Sequence, residues 1–173
     1  AGREKLPADS LPGTVYCSDQ VHHSLQKAAM LAGLPPENVR ALPCDERFRL
    51  APETVAAAIA EDRARGMQPF MLVASAGTVN TGAVDPLHAL ADLAEYERLW
   101  LHVDGAYGGF FVITERGYAS LAGIGRADSV TLDPHKGMFL PYGTGCLLVR
   151  DGGALARAHA LHAAYLPSRR PGH

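Results

Sequence analysis

The chain has 173 residues, 47% of them hydrophobic and 20% charged, and its formal net charge is −2. This balance is typical of a globular domain with a sizeable core, and the absence of a large basic block argues against a nucleic-acid partner. The sequence has no apolar run of 18 residues and no secretion signal, and its three cysteines form no CxxC pair. We therefore predict a cytoplasmic protein without a membrane span.

Short apolar runs alternate with helical segments along the chain. Strands are predicted at residues 14–17, 39–42, 70–74, 100–103, 129–132 and 145–149, the last close enough to its predecessor to return antiparallel. Helices are predicted from about 20 to 31, 52 to 65, 86 to 98, 116 to 124 and 154 to 164. Ser18 or Asp19 is expected to cap the first helix and Asp85 the third. The alternation predicts an α/β fold, a mainly parallel sheet with helices on both faces.

Polar side chains follow four of the predicted strands. They are Asp19 and His22-His23 after the first strand, Ser75 and Thr78 after the third, Asp104 after the fourth, and Asp133, His135 and Lys136 after the fifth. Because parallel strands end at one edge of a sheet, where ligands bind in α/β folds, we expect these groups to converge. A partly desolvated lysine at that edge can form a Schiff base with a carbonyl.

Four motifs carry a family resemblance. They are HVDGAYGG (102–109), DPHKG (133–137), SDQVHHS (18–24) and ASAGTVNTGAVDP (74–86). In this order the motifs resemble those of group II pyridoxal-phosphate-dependent amino-acid decarboxylases, the family of the aromatic-amino-acid, histidine and glutamate decarboxylases. The resemblance implies that residues 1–173 are one domain, the central part of a fold-type I large domain. The family's N-terminal phosphate-binding loop and C-terminal small domain are then expected outside these residues.

The resemblance also implies catalytic roles for three residues. Lys136 corresponds to the lysine that forms the Schiff base with pyridoxal 5'-phosphate, and Asp104 to the carboxylate that pairs with the pyridine nitrogen. His22 corresponds to the histidine that stacks on one ring face, while Ala106 packs against the other. The neighbouring His23 is expected to lie on the helix surface.

Three further residues are implied to bind the cofactor. Thr78 corresponds to a threonine near the ring substituents and the substrate carboxylate, and His135 to a histidine near the phosphate. Asp133 occupies a position where many family members have asparagine. No metal site is predicted: His102 and Asp104 lie on one strand face, but no third and fourth ligand follow at metal-site spacing, and His102 can instead serve a core hydrogen bond.

The implied activity is decarboxylation of an L-amino acid, an aromatic one being slightly favoured, to the amine and carbon dioxide by a homodimeric enzyme. Two alternatives remain open. One is a pyridoxal-phosphate-dependent carbon–carbon lyase of the sphingosine-phosphate lyase type, which shares the HVD and HK features. The other is a non-catalytic fragment that serves as a dimerisation scaffold.

Overall fold

The computed structural model describes residues 13–159. The strands are β1 (Gly13–Ser18), β2 (Val39–Leu42), β3 (Gln68–Ser75), β4 (Trp100–Asp104), β5 (Ser129–Leu132) and β6 (Cys146–Val149). The helices are α1 (Ser24–Leu31), α2 (Pro52–Ala64), α3 (Leu87–Glu97), α4 (Glu115–Ser120), α5 (Pro134–Gly137) and α6 (Gly152–Ala158). Short 3₁₀ turns lie at Pro36–Asn38, Gly109–Ile113 and Ile124–Arg126.

The strands form one six-stranded sheet in the order β2-β1-β3-β4-β5-β6. Strands β1 to β5 are parallel, and β6 pairs with β5 in the antiparallel direction. The predicted fold class and the returning last strand are thus confirmed. The register places Ser75 opposite Asp104, and Asp104 opposite Thr131, so the ends of β3, β4 and β5 lie side by side.

Helices cover both faces of the sheet, as predicted. On one face, α2 and α3 pack against alternate strand residues such as Leu72 and Leu101. On the other face, α1 packs through Leu25 against the buried side chains of Cys17 and Val73. Full burial of each aliphatic side chain stabilises the fold by roughly 1.5–3 kcal/mol, so both faces contribute to holding the sheet.

A buried polar cluster joins β1, β2 and α2. Asp62 is fully buried; its Oδ2 accepts a hydrogen bond of 2.8 Å from the Tyr16 hydroxyl, and its Oδ1 lies 2.6 Å from Arg40 Nη1. Thr14 Oγ1 lies 2.9 Å from the same tyrosine oxygen. Burial raises the pKa of Tyr16, which therefore stays protonated and able to donate.

Two of the predicted helix caps are wrong. α1 begins at Ser24 with His23 at the N-cap position, and Ser18 Oγ instead accepts a hydrogen bond of 3.2 Å from Gln20 N within the preceding turn. α3 begins at Leu87 with Pro86 at the N-cap position. The Asp85 carboxylate does not cap α3 because it is buried and bonded to other parts of the backbone, as described below.

Some other boundaries also differ from the prediction. The helix expected over 116–124 is α4 followed by a separate 3₁₀ turn, and the DPHKG segment, for which no helix was predicted, forms the single helical turn α5. Residues 160–164 of the last predicted helix lie outside the described residues. Within residues 13–159, no helix combines the length and the apolar character that crossing a membrane would require.

Candidate functional site

A cleft of about 410 Å³ lies at the carboxyl edge of the sheet, on the face that α1 covers. The polypeptide before α1 and α1 itself form one wall, and β3, β4 and β5 form the floor. Six of the predicted site residues line this cleft: His22, Thr78, Asp104, Ala106, Asp133 and Lys136. The convergence expected from the strand ends is therefore present in the structure.

Glycines allow the loops around the cleft to approach each other closely. A Cβ atom on Gly108 would lie 2.2 Å from the carbonyl oxygen of Ala76, far inside contact distance. Gly77 has a φ of +101°, which strongly favours glycine, and a Cβ there would meet Tyr107 at 3.2 Å. The loop after β4 can therefore lie directly against the end of β3, which places Ala106 and Thr78 on the same cleft.

Lys136 lies in α5, directly after His135, and is exposed. Its Nζ lies 2.8 Å from Asp133 Oδ2 in an ion pair, with the lysine side chain 39% and the aspartate side chain 18% exposed. Asp133 is the N-cap residue of α5, and its backbone N–H donates to Ala106 O. The helical turn thus holds the lysine amine and a carboxylate together at the cleft.

Asp104 ends β4 and lies on the floor of the cleft. Its Oδ1 accepts a hydrogen bond of 3.1 Å from the backbone N–H of Ala106. The close turn after β4 therefore orients the carboxylate and leaves its second oxygen without a hydrogen-bond donor among residues 13–159. A carboxylate held in this way is suited to bind a protonated ring nitrogen.

His22 lies in the turn before α1 and is half-buried, whereas His23 is exposed. His22 Nδ1 accepts hydrogen bonds from the backbone N–H and the hydroxyl of Ser24, at 3.3 and 2.8 Å. These bonds fix the orientation of the imidazole that lines the cleft. The two histidine rings lie 4.1 Å apart at an angle of 42°, so His23 packs behind His22.

Thr78 is buried in the loop that follows β3. Its Oγ1 lies 2.7 Å from Thr81 Oγ1 and accepts a bond of 3.1 Å from Ala83 N, so the threonine closes its own loop. The Thr78 hydroxyl therefore stabilises the loop that forms the cleft wall, in addition to any contact that it makes with a ligand.

Asp85 supports the same wall from behind. Its carboxylate accepts hydrogen bonds from Leu50 N at 2.8 Å and Ser75 N at 2.7 Å. Burial raises the pKa of Asp85 to about 6, while the two N–H donors act in the opposite direction. This carboxylate ties the end of β3 to the segment that precedes α2.

His135 does not line the cleft in the described structure. Its Nδ1 donates to Thr144 O across 2.8 Å, and its ring lies 4.5 Å from that of Tyr142. Its Nε2 lies 3.8 Å from Asp133 Oδ2. The histidine expected near the cofactor phosphate thus contacts the loop after α5.

The prediction missed part of the cleft floor. His102 lines the cleft, with Nδ1 lying 2.8 Å from Ser129 Oγ and Nε2 lying 3.1 Å from Thr131 Oγ1. Burial lowers the pKa of His102, and the negative charge of Asp104 partly opposes this shift. The sequence signal for this arrangement is the pair of hydroxyl residues Ser129 and Thr131, two positions apart on β5. This signal points to His102 only when the register of β4 and β5 is known.

Three comparisons with known proteins bear on this site. The family description "pyridoxal-dependent decarboxylase conserved domain" matches residues 9–171. The chain is 42% identical to an aromatic-L-amino-acid decarboxylase of Bacillus atrophaeus, with 96% of this chain covering 35% of that protein. It is 41% identical to a phenylacetaldehyde synthase of Petunia hybrida, with 91% of this chain covering 31% of that protein.

A solved structure shows the same fold. The chain superposes on Oryza sativa TDC, crystallised with PLP and tryptamine, with a TM-score of 0.86 and 34% sequence identity. The match covers 91% of this chain and 33% of that one. The chain thus spans about a third of the length of these relatives.

Proposed function

The chain belongs to the pyridoxal-dependent decarboxylase family, and from this membership we propose that the protein containing it decarboxylates an L-amino acid with pyridoxal 5'-phosphate. The family resemblance predicted from the four motifs is confirmed. The observation that carries the proposed activity is the convergence of Lys136, Asp104, Ala106 and His22 on one cleft. An aromatic substrate is the class we favour, because the Bacillus relative is an aromatic-L-amino-acid decarboxylase.

The residues of the cleft fit this cofactor by their chemistry. Lys136 supplies a primary amine for the aldehyde, and Asp104 supplies a carboxylate for the ring nitrogen. The imidazole of His22 and the small side chain of Ala106 suit the two faces of a flat ring. We propose that these four residues hold the cofactor, with Thr78 near the ring substituents.

When bound, pyridoxal phosphate supplies an electron sink for the electrons that remain on the substrate α-carbon after carbon dioxide leaves. Asp104 would keep a proton on the ring nitrogen, because a nearby negative charge favours the protonated ring. Its orientation by Ala106 N prepares the carboxylate for that task without movement of the backbone.

His22 and Ala106 would determine how the ring sits in the cleft. The two hydrogen bonds from Ser24 hold the His22 imidazole in one orientation. This orientation matters because the bond that breaks has to be held perpendicular to the ring plane. A fixed imidazole therefore contributes to the rate through geometry.

Lys136 can attack a carbonyl only when its amine carries a free lone pair, so a proton first has to leave Nζ. Asp133 Oδ2, at 2.8 Å, forms an ion pair with this amine. We propose that Asp133 positions the Lys136 side chain at the cleft through that pair. His135, which contacts Thr144 and Tyr142, would then hold the loop that follows the lysine.

Borohydride reduction of the full-length protein, followed by peptide mapping, tests the lysine assignment. We expect the pyridoxyl adduct on Lys136 and none on Lys27, which lies exposed on α1. Lys27→Arg is the matched control and should leave labelling unchanged, whereas Lys136→Arg should abolish it. A pyridoxyl group on Lys27 would refute the assignment.

Product analysis separates the proposed activity from its alternatives. We expect an amine and carbon dioxide from an aromatic L-amino acid. Release of an aldehyde in place of the amine would favour chemistry of the kind named in the Petunia relative, a phenylacetaldehyde synthase, or a carbon–carbon lyase. A full-length protein with no cofactor absorbance would instead favour a non-catalytic scaffold.

We also propose that the enzyme is a homodimer in the cytoplasm. Large exposed apolar side chains follow the lysine and continue on β6, which supports a contact with further protein. They are Phe139, Leu140, Tyr142, Leu147 and Leu148. All three cysteines are unpaired, which agrees with a reducing compartment. Sedimentation of the full-length protein tests the dimer.

A further inference from the structure

The donor and the acceptor of each hydrogen bond that His102 makes between β4 and β5 can be assigned. Trp100 Nε1, which can only donate, lies 2.9 Å from Ser129 Oγ, and Ser129 Oγ lies 2.8 Å from His102 Nδ1. Ser129 is buried, and within residues 13–159 its hydroxyl hydrogen has no acceptor besides His102. Since a buried hydroxyl hydrogen requires an acceptor, Ser129 donates to His102 Nδ1.

The second ring nitrogen of His102 then carries the proton of the neutral imidazole. His102 Nε2 donates to Thr131 Oγ1 across 3.1 Å. Hydroxyl groups on β5 therefore hold the ring at both nitrogens in a single tautomer. The low pKa caused by burial agrees with an imidazole that stays neutral.

The neutrality of His102 matters because Asp104 lies two residues further along the same strand and on the same face. Asp104 is also the register partner of Thr131. The other charged side chains that line the cleft are Asp133 and Lys136, which pair with each other. A charged His102, or one free to turn its N–H toward Asp104, would compete with a ring nitrogen for that carboxylate.

We propose that His102 is a positioning residue, held neutral and in the Nε2–H tautomer by Ser129 and Thr131 so that the Asp104 carboxylate stays available to the cofactor's ring nitrogen. The inference rests on the proposed function and assigns the Thr131 hydroxyl a task in it. Thr131 acts through His102, and His102 acts through Asp104. If Thr131 and His102 had a purely structural role, their substitution would change the affinity of the cleft for every ligand equally.

The test titrates the full-length apoprotein with two probes, pyridoxal phosphate and its 1-deaza analogue, in which carbon replaces the ring nitrogen. The wild-type protein should bind pyridoxal phosphate more tightly. In Thr131→Val, which keeps the shape but loses the hydroxyl, this preference should fall roughly tenfold, as for one lost hydrogen bond to a charged group. Thr131→Ser, which keeps the hydroxyl, should retain the wild-type preference.

The readout is a ratio of dissociation constants measured without turnover. If Thr131→Val weakens both probes equally, or neither, or if Thr131→Ser loses the preference as well, the inference is wrong while the proposed function stands. If the wild-type apoprotein binds neither probe, the proposed function fails and this inference fails with it. Circular dichroism of each variant verifies that the fold is retained.

Discussion

Two polar clusters of the sheet each join a carboxylate to a cation, but one is largely buried and the other lines the cleft. The closed cluster, Asp62 with Tyr16 and Arg40, contains a carboxylate that is fully buried and bonded through both oxygens. The cleft pair, Asp133 with Lys136, also joins a carboxylate to a cation, but its lysine is 39% exposed. The closed cluster joins β1, β2 and α2, whereas the cleft pair lies where three strands end.

The difference indicates that the closed cluster serves the stability of the fold, whereas the cleft residues serve the chemistry. In the closed cluster both oxygens of the carboxylate are occupied, so the removal of one partner leaves a buried charge uncompensated. At the cleft, Asp104 keeps one oxygen without a donor among residues 13–159, and the Lys136 amine faces a cavity. Groups that are to act on a ligand need such unused capacity. We therefore expect substitutions in the two regions to affect different measured quantities.

The largest expected effect is at Asp104. Asp104→Ala in the full-length enzyme should retain the visible absorbance of bound cofactor and lose turnover by roughly a thousandfold. The loss of a charge partner worth about three pKa units of ring basicity raises the barrier by about 4 kcal/mol. Asp104→Glu, which keeps the charge, is the matched control and should lose less. Turnover close to wild type in Asp104→Ala would contradict the role proposed for this carboxylate.

The next effect concerns stability and belongs to the closed cluster. Asp62→Asn should lower the free energy of unfolding by about 3 kcal/mol, because the largely buried Arg40 loses the carboxylate 2.6 Å from its Nη1 and retains the more distant one of Glu61, 4.0 Å from its Nη2. Turnover of the folded variant should be unchanged. Asp92→Asn, which breaks the exposed pair with Arg126, is the control and should lower the free energy of unfolding much less. Denaturant unfolding measures both; a fall in turnover without a fall in stability would remove the distinction between the two regions.

Asp85 shares a property of each region, because it is buried like the closed cluster and also supports the cleft wall. Its contribution to stability can be tested by varying the pH. Its folded pKa of about 6 exceeds the ordinary value of 3.8, so the folded protein binds this proton more readily than the unfolded chain. Its contribution to stability is therefore present below about pH 3.8 and is lost as the pH rises through about 6. Relative to Asp85→Asn, the wild type should lose about 2 kcal/mol of unfolding free energy between pH 4 and pH 7.

Urea unfolding of the full-length apoprotein at several pH values measures this difference. Asp92→Asn again serves as a control, with the opposite sign: Arg126 lowers the pKa of Asp92, so the contribution of Asp92 is lost as the pH falls. A difference between wild type and Asp85→Asn that stays constant with pH would show that Asp85 has the same pKa in the folded and unfolded states.

Local patterns predicted the strands and the edge at which the cleft lies, because strand periodicity and turn residues are properties of short segments. The prediction failed where a side chain bonds to distant parts of the chain. Asp85 has the sequence position of a helix cap, yet its carboxylate bonds to Leu50, 35 residues away, and to the end of β3. His102 depends on Ser129, 27 residues away, through a strand register that the sequence alone does not reveal.

The smallest expected effect decides between two neighbouring histidines. His22→Ala should lower turnover by roughly tenfold, the size of one aromatic contact of about 0.5–1.5 kcal/mol, and His23→Ala should lower it much less. The reason is the turn before α1: Ser24 holds the His22 ring at the cleft, while His23 is exposed and packs behind it. His22→Phe keeps an aromatic face without the nitrogen that Ser24 bonds, so it separates stacking from orientation. If His23→Ala proves the more damaging variant, the stacking residue is His23, and the turn before α1 presents the other imidazole to the cofactor.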